Sequence, residues 1–554
     1  MSDTPHVESR VTMCVANLKA VALSSLLIGL AACESGRSEQ SLQAEPGAIE
    51  AHLRFLADDE LEGRETASRG LRVSENYVAA QFRSYGLEPG GESGTYFQTV
   101  PLRQSVRDPL GSRFRLQRDE SGAEFTAGAD FFVSPAMVNA ESSVTAPVVF
   151  VGHGLYAPDQ DIDDYAGLDV SGKIVAFLAP RPPAFFLLDP HLRLPPSQAA
   201  DLLGAVATIS LSPAGQREDV FANRAKPRLR PRTSWVDAEG RPYIQDRATV
   251  GTEIHATLSG SASARLFRGA QRSYSEVLDE AGSGEGPVAG FELPIEATIG
   301  QTSIHTATSS RNVLSVLRGS DPELSNEYIV ITAHLDHVGI GEAVEGDSIY
   351  NGVMDNATGI AMMLEVARLL AGAPARPKRS ILFFATTAEE HGLVGSSYFV
   401  RNSTVPHESM VANINLDAPR MFFPFDELIA FGAEHSSTML TSLRETAESL
   451  DYTVDDSIWF ERGASDHFSF LQSGIPGTRF IPAMVSSDPE IDADEILARY
   501  RMHSPSDDLS MPLDYEVGAT FVDIVRAVVY RLADSDIDFA LNEGEPLFDW
   551  PMAR

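Results

Sequence analysis

The sequence predicts an α/β fold: a mixed, mostly parallel sheet with helices on both faces, plus an inserted β-rich domain. Three observations predict it. From about residue 300 onward, short apolar strand-like runs alternate with amphipathic helical patterns, as in sheets whose strands are joined by crossover helices. Between about 140 and 290 the texture changes to short strands separated by Gly, Pro and Asp clusters. Histidines and carboxylates recur just past the apolar runs of the second half, at the strand ends where an open α/β sheet holds its active site.

The elements follow in order. Residues 46–100 read as helix, polar turn and helix. Ile49, Leu53, Phe55 and Leu56 form one apolar stripe; Tyr77, Val78, Ala80, Phe82 and Leu87 form another at helical spacing. Gly86 and Pro89-Gly90-Gly91 close the second helix. Val148 to Val151 and Lys173 to Leu178 are short strands of the insert. Tyr328 to Thr332 is a buried strand, Ala357 to Leu370 a helix, and Ile381 to Ala385 another strand. Val411–Leu416, Leu428–Phe431 and Thr478–Ile481 follow as strands, with helices over Ser436–Leu450 and Val517–Leu532.

A chain of 554 residues is too long for one hydrophobic core, so two or three domains are expected. The formal net charge is −35, which favours solubility and repels nucleic acid. No nucleic-acid partner is therefore expected. The two cysteines, Cys14 and Cys33, leave the rest of the chain without an internal disulfide or a thiolate metal site.

Lys19 precedes an apolar run, Ala20 to Leu30, that is short for a bilayer span. It ends in Leu30-Ala31-Ala32-Cys33, which resembles a bacterial lipobox with Cys33 as the lipidated residue. Residues 1–12 fit no signal pattern, and Met13 offers an alternative start. This reading implies export to the bacterial cell envelope, with a membrane contact made through lipid alone. The expected map is a signal peptide at 1–33, a tether at 34–45 and an N-terminal part of the main domain at 46–139. The insert at 140–290, the catalytic segment at 291–540 and a tail at 541–554 complete it.

Five segments of the second half carry metal-binding chemistry. His334 lies just past a buried strand, and neutral imidazole with carboxylate oxygen suits zinc, with cobalt or manganese also compatible. Asp336, two residues on along extended backbone, points to the same side and is expected to accept the free ring N–H of His334. Asp355 sits in Asn351-Gly352-Val353-Met354-Asp355-Asn356, where Gly352 permits a tight bend before a helix; its spacing after His334 suggests a bridging ligand. Glu389 and Glu390 follow a strongly apolar strand. Two adjacent carboxylates can divide the labour, one on a metal and one taking a proton from water. Asp417 closes another strand, and His503 lies in a loop by composition.

These residues resemble the co-catalytic di-zinc aminopeptidase family, which includes secreted leucyl aminopeptidases, glutamate carboxypeptidase, glutaminyl cyclase and the transferrin receptor. Asp58 to Arg64 and Ser465 to Phe470 resemble further blocks of that family. Val151 to Ala157 and Asp164 to Lys173 resemble a protease-associated domain. The resemblance implies two zinc ions, with His334 and Asp417 on one, Glu390 and His503 on the other, and Asp355 bridging. It implies Glu389 as general base and Asp336 as the residue orienting His334. The bridging pair is Asp355-Asn356 here, where the family often has Asp-Asp, and Met502 stands where many members have tyrosine. The implied activity is an aminopeptidase acting on peptides with a free N-terminus. The alternatives are a carboxypeptidase, a glutaminyl cyclase or a non-catalytic binding protein of the same fold. A basic run, Arg224 to Arg232, is the feature that would favour a substrate carboxylate.

Overall fold

The computed structural model describes residues 43–544 except 109, 119–120, 180–193, 214–220, 222–230, 245–253, 284–285, 458–464 and 500. Cys33 and most of the basic run lie outside the described residues. The chain divides into two units, Met1–Ala44 and Glu45–Arg554, and the second contains every strand described below.

The main sheet of that unit is mixed. In spatial order the strands are Thr453–Asp455, Glu427–Phe431, Gly477–Pro482, Met410–Asn415, Tyr328–His334, Ser380–Thr386, the C-terminal half of Phe291–Leu317, Phe97–Arg107 and Arg232–Trp235. The four strands from Gly477–Pro482 to Ser380–Thr386 are mutually parallel. Antiparallel pairs flank them on both sides. The mostly parallel arrangement expected from the sequence thus holds at the centre of the sheet.

Helices cover both faces because the central strands are apolar on both. On Ser380–Thr386, Leu382 and Phe384 join Phe399, Val400 and Phe470 from the helices Val394–Arg401 and His467–Gln472. Phe383 points the other way and meets Phe82 of the helix Arg69–Ser84, ring centroids 6.0 Å apart. The long helices Thr358–Gly372 and Tyr515–Asp534 pack on that second face against Tyr328–His334. Each fully buried Phe or Leu contributes about 1.5–3 kcal/mol here.

The β-rich insert has its own sheet and core, with Phe114, Phe131, Phe150 and Phe291 packed together. Its limits differ from those expected. Its first strand is Arg113–Arg118, well before residue 140, and alternating charged residues hide it in the sequence. Its far limit lies inside one 27-residue strand, Phe291–Leu317. That strand pairs with Glu141–Phe150 as far as Thr302, then with Phe97–Arg107 from Ser303 onward. The two sheets therefore share a continuous strand, and the far limit of the insert lies within it near Thr302–Ser303. Arg232–Trp235, within the expected insert, pairs instead with Phe97–Arg107 at the edge of the main sheet. Trp235 there packs on Ala388 and Val394, beside the Glu389–Glu390 turn. No helix among the described residues is long and apolar enough to cross a membrane.

Two buried histidines link this core to pH. His52 contacts the Tyr77 hydroxyl through Nδ1 at 2.8 Å and the Tyr85 hydroxyl through Nε2 at 3.2 Å. Burial pushes its pKa down to about 4, with Glu365 opposing. Burial also pushes His255 down to about 4. The unfolded chain takes up these protons near pH 6.5, so the stability they confer is complete above about 6.5 and is lost as pH falls towards about 4. Between about pH 7 and 4.5, the wild type should lose about 2–3 kcal/mol more unfolding free energy than His52→Gln, read by urea titration. Parallel losses would contradict a neutral His52.

Candidate metal centre

The C-terminal ends of the parallel strands finish level with one another. His334 lies opposite Thr386, and Thr332 opposite Asn415. The ladder continues one step further: Leu335 N–H donates to Thr386 O, and Leu416 N–H to Thr332 O. His334 ends its strand, Asp417 follows two residues after Asn415, and Glu389 and Glu390 open the turn after Thr386. Four of the residues singled out from sequence thus reach one edge through strand register alone.

Asp355 arrives from a loop. Gly352 has φ 61°, and a Cβ there would stand 2.5 Å from the His337 ring. Asn356 ties this loop to the Asp417 turn: its Nδ2 donates to Leu416 O at 2.8 Å, while its Oδ1 accepts from Gly359 N and Ala418 N. An aspartate could not make the first of these bonds, which gives the Asp355-Asn356 pair a local reason. Gly359 packs so closely that a Cβ would lie 2.3 Å from Asn356 Oδ1 and from Leu416 O. Asp507 holds the loop from the other side, accepting from Met354 N at 2.8 Å and Asp355 N at 3.2 Å. Burial pushes Asp507 up to about 6. Because Asp507 and His503 share one loop, that contact also anchors His503.

The result is two ligand groups sharing Asp355. In one, His334 Nε2 lies 3.1 Å from Asp355 Oδ1 and 3.3 Å from Asp417 Oδ1. In the other, His337, Asp355 and Glu390 converge. His503 Nε2 joins the second group, 3.2 Å from Asp355 Oδ2 and 3.1 Å from Glu390 Oε2, with half its side chain exposed. The two oxygens of Asp355 face different groups, the geometry of a bridging carboxylate. His337 is the member that sequence reading missed. It lies three residues past His334 in the same segment, with no apolar run of its own to single it out.

Asp336 does not act as expected. Its main-chain carbonyl, rather than its carboxylate, faces His334 Nδ1 at 3.0 Å. The carboxylate turns towards the next turn, accepting from Glu389 N at 3.0 Å and Glu390 N at 3.4 Å, and from the Thr66 hydroxyl at 3.1 Å. Past His334 the backbone leaves its strand, so the same-side rule for i and i+2 no longer holds. Asp336 therefore fixes the Glu389–Glu390 backbone.

Arg64, from the Asp58–Arg64 block, clamps both ligand loops. Its side chain is 1% exposed. It donates to Leu335 O at 2.9 Å, Asn351 O at 2.6 Å and Gly352 O at 2.9 Å, as well as to Leu56 O. Burial lowers its pKa to about 10, with Asp507, Asp336, Asp355 and Glu390 opposing. On the other flank, Arg479 Nε donates to Asp417 O at 2.9 Å. Burial alone would raise the Asp417 carboxyl, but Arg479 and His334 hold it below the ordinary range. Burial pushes Asp466 up to about 6; its carboxylate accepts from the Thr386 hydroxyl beneath the site.

The donor set fits divalent cations. Three carboxylates and three imidazoles converge, all buried but the half-exposed His503, and borderline cations such as zinc favour these donors. Against burial, the neighbouring Glu389 and Asp417 raise His334 well above its ordinary value. Hydrogen bonds to Asp355 and Glu390 push His503 up to about 10.

Residues 312–529 match peptidase family M28. That stretch contains every group of the cluster. Aminopeptidase YwaD of Bacillus subtilis (strain 168) is 29% identical over 239 residues, covering 43% of this chain and 47% of the relative. Carboxypeptidase Q of Xenopus laevis is 24% identical over 191 residues, covering 34% of this chain and 36% of the relative. The chain thus spans about half the length, or less, of these curated relatives. Among solved structures, the aminopeptidase from Aneurinibacillus sp. strain AM-1 aligns with a TM-score of 0.52 over 90% of this chain and 95% of its own, at 20% identity. That likeness establishes a common mixed α/β fold.

Arg64→Lys tests the clamp. Lysine cannot reproduce a planar fork that meets several carbonyls, so the variant should lose about 3–5 kcal/mol of unfolding free energy in chelator-treated protein. Wild-type stability in denaturant titration would refute the clamp.

Proposed function

We propose that this chain is a metallo-aminopeptidase that hydrolyses the first peptide bond of substrates with a free N-terminus. The observation that carries this reading is the pair of ligand groups joined through the two oxygens of Asp355, with Glu389 on the same turn as the ligand Glu390. His334 and Asp417 would hold one cation and Glu390 and His503 the other, with Asp355 common to both. Two bound zinc ions would supply a polarised carbonyl and a water acidified towards a pKa of about 7.

The chain's own residues supply the proton transfers and the positioning. Glu389 accepts a proton from the attacking water and returns it to the leaving amine. Its carboxyl is raised well above the ordinary value by burial, with His334 opposing and Asp417, Glu390 and Asp466 adding to the rise. A carboxylate of raised basicity is suited to that exchange at neutral pH. Asp336, bonded to the amides of Glu389 and Glu390, keeps base and ligand on one rigid turn. Met502 is exposed beside His503 and offers no hydroxyl for the reacting carbonyl.

The relative named aminopeptidase supports this reading, and the relative named Carboxypeptidase Q supports carboxypeptidase action as the second one. Aminoacyl-anilides assayed beside N-acetylated peptides, with and without chelator, separate the two. Cleavage of free-amine substrates alone, abolished by chelator, is expected; preference for blocked substrates would favour the second reading. Glu389→Gln should keep its zinc while losing about 100- to 10,000-fold in kcat. Full turnover at normal zinc content would refute the base.

The Leu30-Ala31-Ala32-Cys33 motif supports an exported protein held in the bacterial cell envelope by lipid on Cys33. Cys33→Ser should move the protein from the membrane to the soluble fraction and abolish incorporation of labelled palmitate. A wild-type protein that takes up no lipid label would end this proposal.

A further inference from the structure

Resting on the two-cation reading, we propose that His337 is a direct ligand, through Nδ1, of the cation held by Asp355, Glu390 and His503. That position then has four protein donors, and the position at His334, Asp355 and Asp417 has three.

The sequence gives His337 no distinguishing neighbour pattern, but the fold isolates it. Its side chain is 0% exposed. Its backbone N–H donates to Arg64 O, which draws the chain inward after Asp336. The Cα of Gly352 lies against its ring, where a Cβ would be only 2.5 Å away. Held so, Nδ1 stands 2.7 Å from Glu390 Oε1 and 3.9 Å from Asp355 Oδ2. Even so, neither ring nitrogen makes a hydrogen bond of acceptable geometry. Nδ1 is left with only its ion-pair contact to Glu390, and Nε2 has no polar partner, which costs about 1–3 kcal/mol for the unmet group. The close approach to Glu390 without hydrogen-bond alignment is the arrangement of two donors turned towards a common third atom. Ligands of a tetrahedral zinc at about 2.0–2.1 Å stand roughly 3.3 Å apart. The spacings to His337 straddle that value, and His503 Nε2 stands 3.1 Å from Glu390 Oε2 and 3.2 Å from Asp355 Oδ2.

The consequence is an inequality between the two positions. A tetrahedral site with four protein donors is closed, whereas one with three keeps a place for water or substrate. Glu389 opens the turn that also carries Glu390, next to both positions, so donor number is what separates them. The four-donor position should therefore bind first and exchange slowly, while the three-donor position serves the reacting water.

The test is cadmium-113 NMR of the full chain carrying nitrogen-15 histidine and loaded with two cadmium ions. Three coupled imidazoles are expected, from His334, His337 and His503, with two of them on one cadmium. His337→Ala should remove one coupling and weaken one of the two ions by more than about 100-fold in competition with a chelator, beyond the roughly 10- to 100-fold typical of an outer-shell partner. Two bound cadmium ions coupled only to His334 and His503, or a smaller loss of affinity, would overturn the assignment of His337 and leave the proposed function standing. A wild-type protein that binds no cadmium or zinc would overturn both.

Discussion

Several carboxylates meet at the dry edge of a parallel sheet, and the protein must keep them together against their mutual repulsion. Asp355, Glu390 and Asp417 stand within hydrogen-bonding reach of shared imidazoles, with Glu389 beside them. In water such a group would fly apart or take up protons. Here it is held by backbone geometry, by cationic side chains nearby and by the histidines between. The rest of the main domain holds this arrangement in place.

Two layers of support do so. Strand register sets His334 opposite Thr386 and Thr332 opposite Asn415, so His334, Asp417 and the Glu389–Glu390 turn share one rim. Behind the rim, polar side chains tie loop to loop. Arg64 joins the His334 and Asp355 segments, Asn356 joins the Asp355 and Asp417 segments, and Asp507 joins the Asp355 and His503 segments. Asp336 does the same for the Glu389–Glu390 turn. Nearly every ligand is thereby fixed through the backbone of its neighbours. The insert reaches the same region through Trp235, which stacks on Tyr243 and packs beside Ala388. The second sheet is joined to the main sheet through the shared strand Phe291–Leu317, and the segment carrying Trp235 adds an edge contact to the main sheet.

Much of this is legible in the sequence. The apolar runs at 328, 381 and 411 and the helices at 358 and 515 are strongly periodic, and periodicity reports burial directly. The strand Phe291–Leu317 alternates at period two from Phe291 to Ile299, a signal the sequence reading passed over, and the polar stretch from Gly300 to Asn312 then hides its continuation. Polar alternation likewise conceals Arg113–Arg118 and shifts the boundary of the insert. At the site, His337 and Arg64 escape notice for a different reason. A histidine next to a stronger motif, or an arginine in an acidic segment, carries no local mark of what it will touch.

By itself, the sequence determined which residue types stand at the ends of which apolar runs, and hence the chemistry available: imidazoles, carboxylates and no thiolates. It determined these because burial and strand period are local properties of the chain. Only the tertiary structure decided who meets whom. It sent the Asp336 carboxylate to the Glu389 and Glu390 amides instead of the His334 ring, and it enclosed His337 beside Glu390. It also turned the two oxygens of Asp355 towards different partners. Those choices depend on contacts between segments tens to hundreds of residues apart, where no local pattern carries the information.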